Sequence, residues 1–333
     1  MRLTKLMTLL SAMILASSVS SLSLASAHDD DNPNTFVYDK CMYNTTSEIV
    51  AQTIPSVVYI FMERLSGIDS DEFGGLMPSL PQPTSGVGTG FFINDEGYIV
   101  TNAHVVKDSS RLRIFYWESP LEYGEAEIIG MDEIADIAVI KIDPEGPTKF
   151  VKWADSELLE MGDDVIAIGH GLSMPWAVTK GIVSYTDRQP DKTKPMITYN
   201  QSDTVINQGN SGGPLFDMCG EVVGVNTLLF SRTGSFAGVG FSVPSNLAKR
   251  SVDQIIEKGY VTYPAIGIHM TSVGTLDERK ELLKLGIDSV VKVDNTPEDG
   301  AAYEAGLKSG DVIVSVGGEK VIGTLDIVKQ LWY

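Results

Sequence analysis

Eight short apolar runs, separated by glycine, proline and aspartate, constrain the fold of this chain more than any other feature. Each run is about as long as a β-strand, and the residues between the runs favour turns rather than helices. Short strands that alternate with tight turns are typical of an all-β barrel. The runs span residues 56–61, 90–93, 111–117, 137–142, 164–168, 181–185, 222–226 and 238–243.

A glycine-rich turn holds a candidate nucleophile. Residues 209–214 read Gly-Asn-Ser-Gly-Gly-Pro, so Ser211 lies between glycines. Glycine adopts backbone conformations closed to other residues, which lets amides of such a turn converge on an approaching carbonyl. Gly209, Asn210 and Ser211 are therefore the candidate residues of an oxyanion hole. An ordinary Gly/Ser turn is the alternative.

A serine hydroxyl becomes a good nucleophile only with a base in hydrogen-bond reach and an acid that orients the base. His104 follows a strand-like run and small residues, whereas His170 lies in a Gly-rich loop and is interpreted as structural. Asp136 heads the apolar run at 137–142, where burial without a partner would be costly. A capping aspartate in a surface turn is the alternative. The order histidine, aspartate, serine is that of the chymotrypsin fold, and subtilisin and the α/β-hydrolases use other orders.

Four segments in the same order resemble the HtrA/Deg family of trypsin-like serine proteases. They span residues 86–91, 101–106, 132–139 and 201–215. The resemblance implies a double β-barrel protease domain with its site between the barrels, followed by a small α+β PDZ domain. It implies that His104 is the general base, Asp136 the orienting acid and Ser211 the nucleophile. No cofactor and no metal site are expected.

The N-terminus has the pattern of a signal peptide over residues 1–27. Arg2 and Lys5 precede an apolar stretch, and small residues at 25–27 predict cleavage after Ala27. A membrane anchor is the alternative, although serines interrupt the apolar stretch. We expect a periplasmic or secreted protein. In the family, the segment that follows builds a trimer interface, so residues 28–45 predict a homotrimer or larger homo-oligomer, with packing onto the barrel as the alternative.

The remaining chain divides into a protease domain over 46–258 and a PDZ domain over 259–333. Helices are predicted at 46–53 and from Ser245, as N-cap, to Gly259. By resemblance, Ile266, Gly267 and Ile268 would bind peptide C-termini opposite a helix near 325–331. A domain that binds nothing is the alternative. A PDZ domain of this type needs further strands after Tyr333, so the domain is expected to be incomplete.

Residues near the serine indicate the specificity pocket. Cleavage after lysine or arginine needs a carboxylate six residues before the nucleophile, and that position is Val205. With Ile206 and, by resemblance, Leu228, the pocket would accept small or medium aliphatic side chains. A purely structural role in the core is the alternative. One loop departs from the family pattern, because residues 168–173 read Ile-Gly-His-Gly-Leu-Ser where Asn-Pro-Phe-Gly usually follows Ile-Gly. Whether the oxyanion turn is preformed is therefore open.

Composition excludes two classes of protein. With 43% hydrophobic and 21% charged residues, the chain is globular rather than disordered. Its net charge of −19 becomes −21 without the leader, which argues against nucleic acid as a partner. Cys41 and Cys219 are the two cysteines, and either a disulfide or two separate thiols fit the sequence.

These patterns together predict an exported serine endopeptidase that hydrolyses unfolded or damaged proteins in protein quality control. The alternative is a chaperone or peptide-binding scaffold with weak or regulated proteolysis.

Overall fold

The computed structural model describes residues 44–66, 82–117, 123–144, 146–171, 174, 176–190, 196–227, 238–273 and 275–332. The predicted signal peptide over 1–27 lies outside these ranges, as does the predicted N-terminal segment over 28–45 except for its last two residues. In the described ranges, no helix is long and apolar enough to cross a membrane.

The described chain begins with helix α1 (Thr46–Thr53), as the sequence predicts. A capping box starts the helix, because the Thr45 hydroxyl accepts from the amide of Glu48 while the Glu48 carboxylate accepts from the amide of Thr45. Pro55 lies in a 3-10 turn directly after the helix. Ile49 is buried in the largest hydrophobic core, so α1 packs against the barrels rather than standing free.

The first sheet is an antiparallel half-barrel of seven strands in the order β5-β4-β1-β2-β3-β7-β6. Its edge strands, β5 and β6, are separated in sequence by Ala126 alone. Helix α2 (Ala103–Val106) follows β3. The strands are β1 (Val57–Ser66), β2 (Gln82–Phe92), β3 (Tyr98–Thr101), β4 (Arg111–Phe115), β5 (Tyr123–Glu125), β6 (Glu127–Asp132) and β7 (Ile137–Lys141).

The second sheet is a closed six-stranded barrel in the order β10-β13-β12-β11-β8-β9. Closure removes the unpaired edges that an open sheet would expose. One cluster of buried aliphatic residues belongs to this barrel: Val165, Ala167, Val183, Ile206, Leu215 and Val223. The strands are β8 (Asp164–Gly169), β9 (Ala177–Arg188), β10 (Tyr199–Ser202), β11 (Pro214–Phe216), β12 (Val222–Thr227) and β13 (Gly240–Pro244).

Helix α3 (Ser245–Lys258) packs against both sheets through Leu247, Val252 and Ile255, which are buried in the largest core. Gly259 ends the helix with a φ of 83°, a left-handed conformation that favours glycine. The predicted helix is confirmed, but its predicted N-cap is wrong. Pro244 occupies the cap position, and the Ser245 hydroxyl donates instead to the carbonyl of Ala154.

The C-terminal region is a small α+β unit with its own core around Val291, Val321 and Ile327. Strand β14 pairs with β15, and β16 with β17. Helix α6 confirms the helix predicted near 325–331. The elements are β14 (His269–Ser272), α4 (Leu276–Lys284), β15 (Val291–Asn295), α5 (Ala301–Glu304), β16 (Ser315–Val316), β17 (Glu319–Lys320) and α6 (Thr324–Trp332).

Polar contacts connect this unit to the barrels. Lys329 on α6 donates to Glu157 and Asp187, at 3.0 and 2.8 Å. The Tyr263 hydroxyl donates to the buried carboxylate of Asp132 at 2.5 Å. The predicted all-β fold with a small C-terminal α+β domain is confirmed, with the first barrel formed as a half-barrel among the described strands.

Candidate active site

His104 lies on helix α2, which directly follows strand β3. This strand is central in the half-barrel, because it pairs with β2 on one side and β7 on the other. The guanidinium of Arg64 donates to the backbone carbonyls of His104, Val105 and Lys107 at 2.9, 3.2 and 3.0 Å. These carbonyls belong to the last turn of α2, so Arg64 satisfies groups that a short helix leaves unpaired.

Asp136 holds His104 through two hydrogen bonds. The ring Nδ1 of His104 lies 2.8 Å from Asp136 Oδ2, and the backbone amide of His104 donates to Oδ1 at 3.0 Å. The Asp136 side chain is 13% exposed and the His104 side chain 48% exposed, so the acid is buried behind a base that faces solvent. Asp136 has a φ of 60°, and aspartate tolerates this left-handed region better than most residues.

The Asp136 carboxylate has a third donor that the sequence did not reveal. The Thr227 hydroxyl, at the end of β12, donates to Oδ2 at 3.0 Å. Asn102 donates to the backbone carbonyl of Asp136 at 2.8 Å. A carboxylate removed from water is stable when such donors replace the lost hydration. Thr227 follows the apolar run at 222–226 by one residue, and that position was its only signal in the sequence.

Ser211 is 5% exposed and is anchored by its backbone to both sheets. Its carbonyl accepts from the amide of Thr89 at 2.9 Å, and the next amide, of Gly212, donates to Asn226 at 2.8 Å. A side chain at Gly212 would overlap the Thr101 hydroxyl, so glycine lets this turn approach the end of β3. Within the described residues, Ser211 Oγ makes no hydrogen bond to His104. In proteins without substrate such bonds are often long and tighten on binding.

The turn before Ser211 has type II geometry. The amide of Asn210 donates to the carbonyl of Asn207 at 3.0 Å, and Gly209 in the third position has a φ of 103°. Neither the amide of Gly209 nor that of Ser211 donates to any group in the described part of the chain. Two of the three predicted oxyanion residues therefore have uncommitted amides, whereas the amide of Asn210 is used within the turn.

The predicted pocket residues lie in different environments. Val205 is 39% exposed, and its carbonyl accepts from the side chain of Asn210 at 3.2 Å. Ile206 is 2% exposed and belongs to the buried cluster of the second barrel. Leu228 lies outside the described residues. The assignment of these three residues to a specificity pocket stays a prediction.

The predicted peptide-binding residues Ile266, Gly267 and Ile268 immediately precede β14 rather than lying within it. The carbonyl of Ile266 accepts from the amide of Ala302 at 2.9 Å. Gly267 has a φ of 73°, and any side chain there would press against Gly300. The predicted role of these three residues in peptide binding stays a prediction.

No group of histidine, cysteine or acidic residues in the described ranges could hold a metal ion. Cys219 is disulfide-bonded. Cys41, the other cysteine of the sequence, lies outside the described residues.

Comparisons with known proteins agree with this architecture. Residues 88–225 match the trypsin-like peptidase domain family, and residues 290–331 match the PDZ domain family. The chain is 38% identical over 247 residues to a probable periplasmic serine endoprotease, DegP-like, of Bartonella henselae, covering 73% of this chain and 47% of that protein. The corresponding protein of Chlamydia trachomatis is 33% identical over 303 residues, covering 83% of this chain and 60% of that protein.

The chain thus spans about half the length of the curated relatives it matches. Among solved structures, the HtrA-type protease AlgW with a tripeptide is 27% identical with a TM-score of 0.72, covering 86% of this chain and 88% of that one. The structural match extends over most of both chains. The chain belongs to the HtrA/Deg family of trypsin-like serine proteases.

Proposed function

We propose that this chain is an exported serine endopeptidase that uses Ser211, His104 and Asp136. The observation that carries the proposal is the His104–Asp136 pair, 2.8 Å apart, beside a serine turn with two uncommitted amides. This combination supports acyl transfer, because that reaction needs a base, an orienting acid and oxyanion donors around one hydroxyl.

In the proposed mechanism, His104 Nε2 takes the proton of Ser211 Oγ as that oxygen attacks the scissile carbonyl. Asp136 accepts a hydrogen bond from the Nδ1–H group of His104 throughout, without taking its proton, and stabilises the imidazolium that forms. The amides of Gly209 and Ser211 donate to the oxyanion of the tetrahedral intermediate. His104 then returns the proton to the leaving amine. Water hydrolyses the remaining acyl-enzyme in the same way, with His104 again as the base.

Unfolded or damaged polypeptides are the proposed substrates, since an extended chain can add to the enzyme as a strand. We assign catalysis to residues 46–258 and recognition of peptide C-termini, at Ile266 to Ile268, to residues 259–333. The exposed Val205 favours cleavage after small or medium aliphatic residues, because it offers no carboxylate to a basic side chain. The match of residues 290–331 to PDZ domains supports peptide binding in the C-terminal unit.

Export to the periplasm is supported by the relatives, which are named periplasmic endoproteases, and by the leader-like residues 1–27. Cleavage after Ala27 and assembly into a homotrimer or larger homo-oligomer through residues 28–45 are further parts of the proposal. Mass measurement of the native assembly tests both of these parts.

Labelling with a fluorophosphonate and degradation of denatured casein test the central proposal. The chain without its leader should label and cleave, the variant Ser211→Ala should do neither, and Ser315→Ala, on an exposed strand of the C-terminal unit, should behave like the parent. A parent that neither labels nor cleaves, even with an added activating peptide, would favour a chaperone or scaffold. A parent that labels but leaves casein intact would indicate a narrow processing enzyme.

A further inference from the structure

His170 is a fully buried histidine that the proposed mechanism does not use. It directly follows strand β8, in the loop whose sequence departs from the family pattern. The imidazole lies between the rings of Tyr59 and Trp176, with centroids 4.9 and 5.0 Å away. Its backbone carbonyl also packs against Gly209, where any side chain would overlap it. His170 therefore borders the turn that precedes Ser211.

Thr89 connects this histidine to the turn. The Thr89 hydroxyl donates to the carbonyl of Gly209 at 2.6 Å. The same oxygen accepts from the backbone amide of His170 at 3.1 Å and lies 3.1 Å from His170 Nδ1. All three groups are buried in the interior next to the site. A hydroxyl has one proton to donate and two lone pairs that accept.

The single proton of the Thr89 hydroxyl determines the tautomer of His170. Because the single Thr89 proton goes to Gly209, Nδ1 of His170 must be the donor of the remaining bond and carry a proton. In the opposite tautomer, Nδ1 would be an acceptor and would compete with the Gly209 carbonyl for that proton. Nε2 is buried and has no partner in the described part of the chain, so it has no acceptor for a proton of its own.

The surroundings also keep the ring neutral. Burial lowers the pKa of His170 from 6.5 to about 3. Protonation would add a buried charge and a second N–H donor without an acceptor, and both are costly. The neutral ring with its proton on Nδ1 is thus the form compatible with the contacts around it.

We propose that His170 is a positioning residue for the oxyanion-binding turn, acting through Thr89. Its Nδ1 proton leaves the Thr89 hydroxyl free to donate to the Gly209 carbonyl, and that bond fixes the peptide that directly follows the amide of Gly209. The inference rests on the proposed protease function, because it concerns how the amide of Gly209 is kept available to the oxyanion.

The turn needs such a restraint because glycine also populates negative φ readily. A type I turn would place the third residue at a φ of about −90° and turn the central peptide over. The amide of Gly209 would then leave the oxyanion site. The bond from Thr89 restrains the backbone on the C-terminal side of Gly209, and the loss of one such bond should reduce the population of the ordered turn by about tenfold.

Substitutions at Thr89 test the proposal through activity. Thr89→Val keeps the shape and removes the hydroxyl, so kcat for an internally quenched peptide and the rate of fluorophosphonate labelling should each fall about tenfold or more, with KM within about twofold. Thr89→Ser should recover most of the loss. Thr148→Val removes the 2.8 Å hydrogen bond from the Thr148 hydroxyl to the carbonyl of Asn94, neither of which belongs to the site, and should change neither rate. A folded Thr89→Val variant with parental rates overturns the proposal.

Substitutions at His170 give a second test. His170→Phe keeps a ring between Tyr59 and Trp176 but has no donor, and it should lower kcat as Thr89→Val does. His170→Asn offers an amide N–H and should retain more activity than the phenylalanine variant. Equal kcat values for the parent and His170→Phe overturn the proposal.

Nitrogen-15 spectra of the imidazoles test the tautomer without any activity assay. The full chain contains four histidines, which replacement one at a time can assign. The spectrum should show His170 protonated at Nδ1 alone at neutral pH, and protonation at Nε2 overturns the proposal even if a variant fails to fold. If the parent neither labels nor cleaves, the proposed function fails, while this spectrum still decides the hydrogen-bond arrangement.

Discussion

At the scale of single residues, Thr227 shows how the site depends on a side chain that lies 91 residues from its partner Asp136 in sequence. Its hydroxyl donates to Asp136 Oδ2, the same oxygen that faces His104 Nδ1. We expect Thr227→Val to lower kcat about three- to tenfold, because the carboxylate loses a donor and the His104 ring loses part of its orientation. Thr227→Ser should restore activity. Peptide hydrolysis measures the effect, and an unchanged kcat in a folded Thr227→Val variant would contradict the expectation.

His170 also predicts a pH dependence of stability. Its pKa is about 3 in the folded chain and about 6.5 when unfolded, so the unfolded chain binds the proton first as the pH falls. The stability that the neutral ring provides is complete above pH about 6.5, and it declines by up to about 1.4 kcal/mol per pH unit towards pH about 3. Tyr59, the other titratable ring in contact, stays neutral over this range because burial raises its pKa.

Thermal unfolding between pH 4 and 7 measures this effect. The parent should lose more thermal stability on acidification than His170→Asn, which has no group that titrates there. Parallel melting curves across the range would show that His170 is not the buried neutral ring described above.

At the scale of elements, helix α2 is too short to be stable alone and depends on Arg64 in strand β1. The guanidinium donates to three carbonyls of the last turn. We expect Arg64→Met to lower the free energy of unfolding by about 1.5 to 3 kcal/mol and to reduce activity, because His104 lies on this helix. Arg64→Lys should recover only part of both, since an ammonium cannot span the carbonyls as a planar guanidinium does.

Melting temperatures and peptide hydrolysis check this expectation together. Arg279→Met, on an exposed helix of the C-terminal unit, is the control and should change neither. If Arg64→Met melts like the parent but loses activity, Arg64 orients His104 without stabilising the fold.

Elements with local signals were the ones that the sequence could predict. Helices α1 and α3 have a cap, a proline or a terminal glycine within a few residues, and α6 was placed by resemblance. Strands β10 and β11 were missed, because they have only four and three residues and their sequences show no apolar run of strand length. His104, Asp136 and Ser211 could be proposed from their order along the chain. The Thr89–His170 contact could not, because 81 residues separate its partners and His170 alone resembles a structural histidine.

At the scale of the whole molecule, polar contacts between described residues attach the C-terminal unit to the barrels at one place around Tyr263 and at a second around Lys329. Near the site, Asp132 accepts hydrogen bonds from Tyr263 and from Ser251 on α3, and Asp132 precedes Asp136 by four residues. Burial, together with this carboxylate, raises the pKa of Tyr263, so the phenol remains a donor at all ordinary pH values. At the second place, Lys329 on α6 meets Glu157 and Asp187 of the second-barrel region.

The ion pairs of Lys329 with Glu157 and Asp187 should determine how firmly the C-terminal unit is held against the barrels. Its side chain is 21% exposed, and its loss would leave two neighbouring carboxylates without their shared cation. Burial tends to lower the pKa of Lys329, but the hydrogen bonds with Asp187 and Glu157 outweigh it and raise the pKa. The charged form is therefore favoured below its ordinary pKa of 10.5 and is lost only as the pH rises through the raised value. The attachment should persist throughout the neutral range.

We expect Lys329→Met to loosen the unit, so that an added protease cleaves the segment after Lys258 several times faster than in the parent. Both proteins carry Ser211→Ala, which prevents self-cleavage. Lys320→Met, which breaks an exposed ion pair with Asp288 inside the C-terminal unit, is the matched control and should leave the rate unchanged.

Higher salt should speed cleavage of the parent towards the rate of the Lys329→Met variant, because Glu157 and Asp187 are partly exposed and screening weakens their attraction for the lysine. Equal cleavage rates for the parent and Lys329→Met would mean that the contact of Tyr263 with Asp132 holds the unit without the lysine.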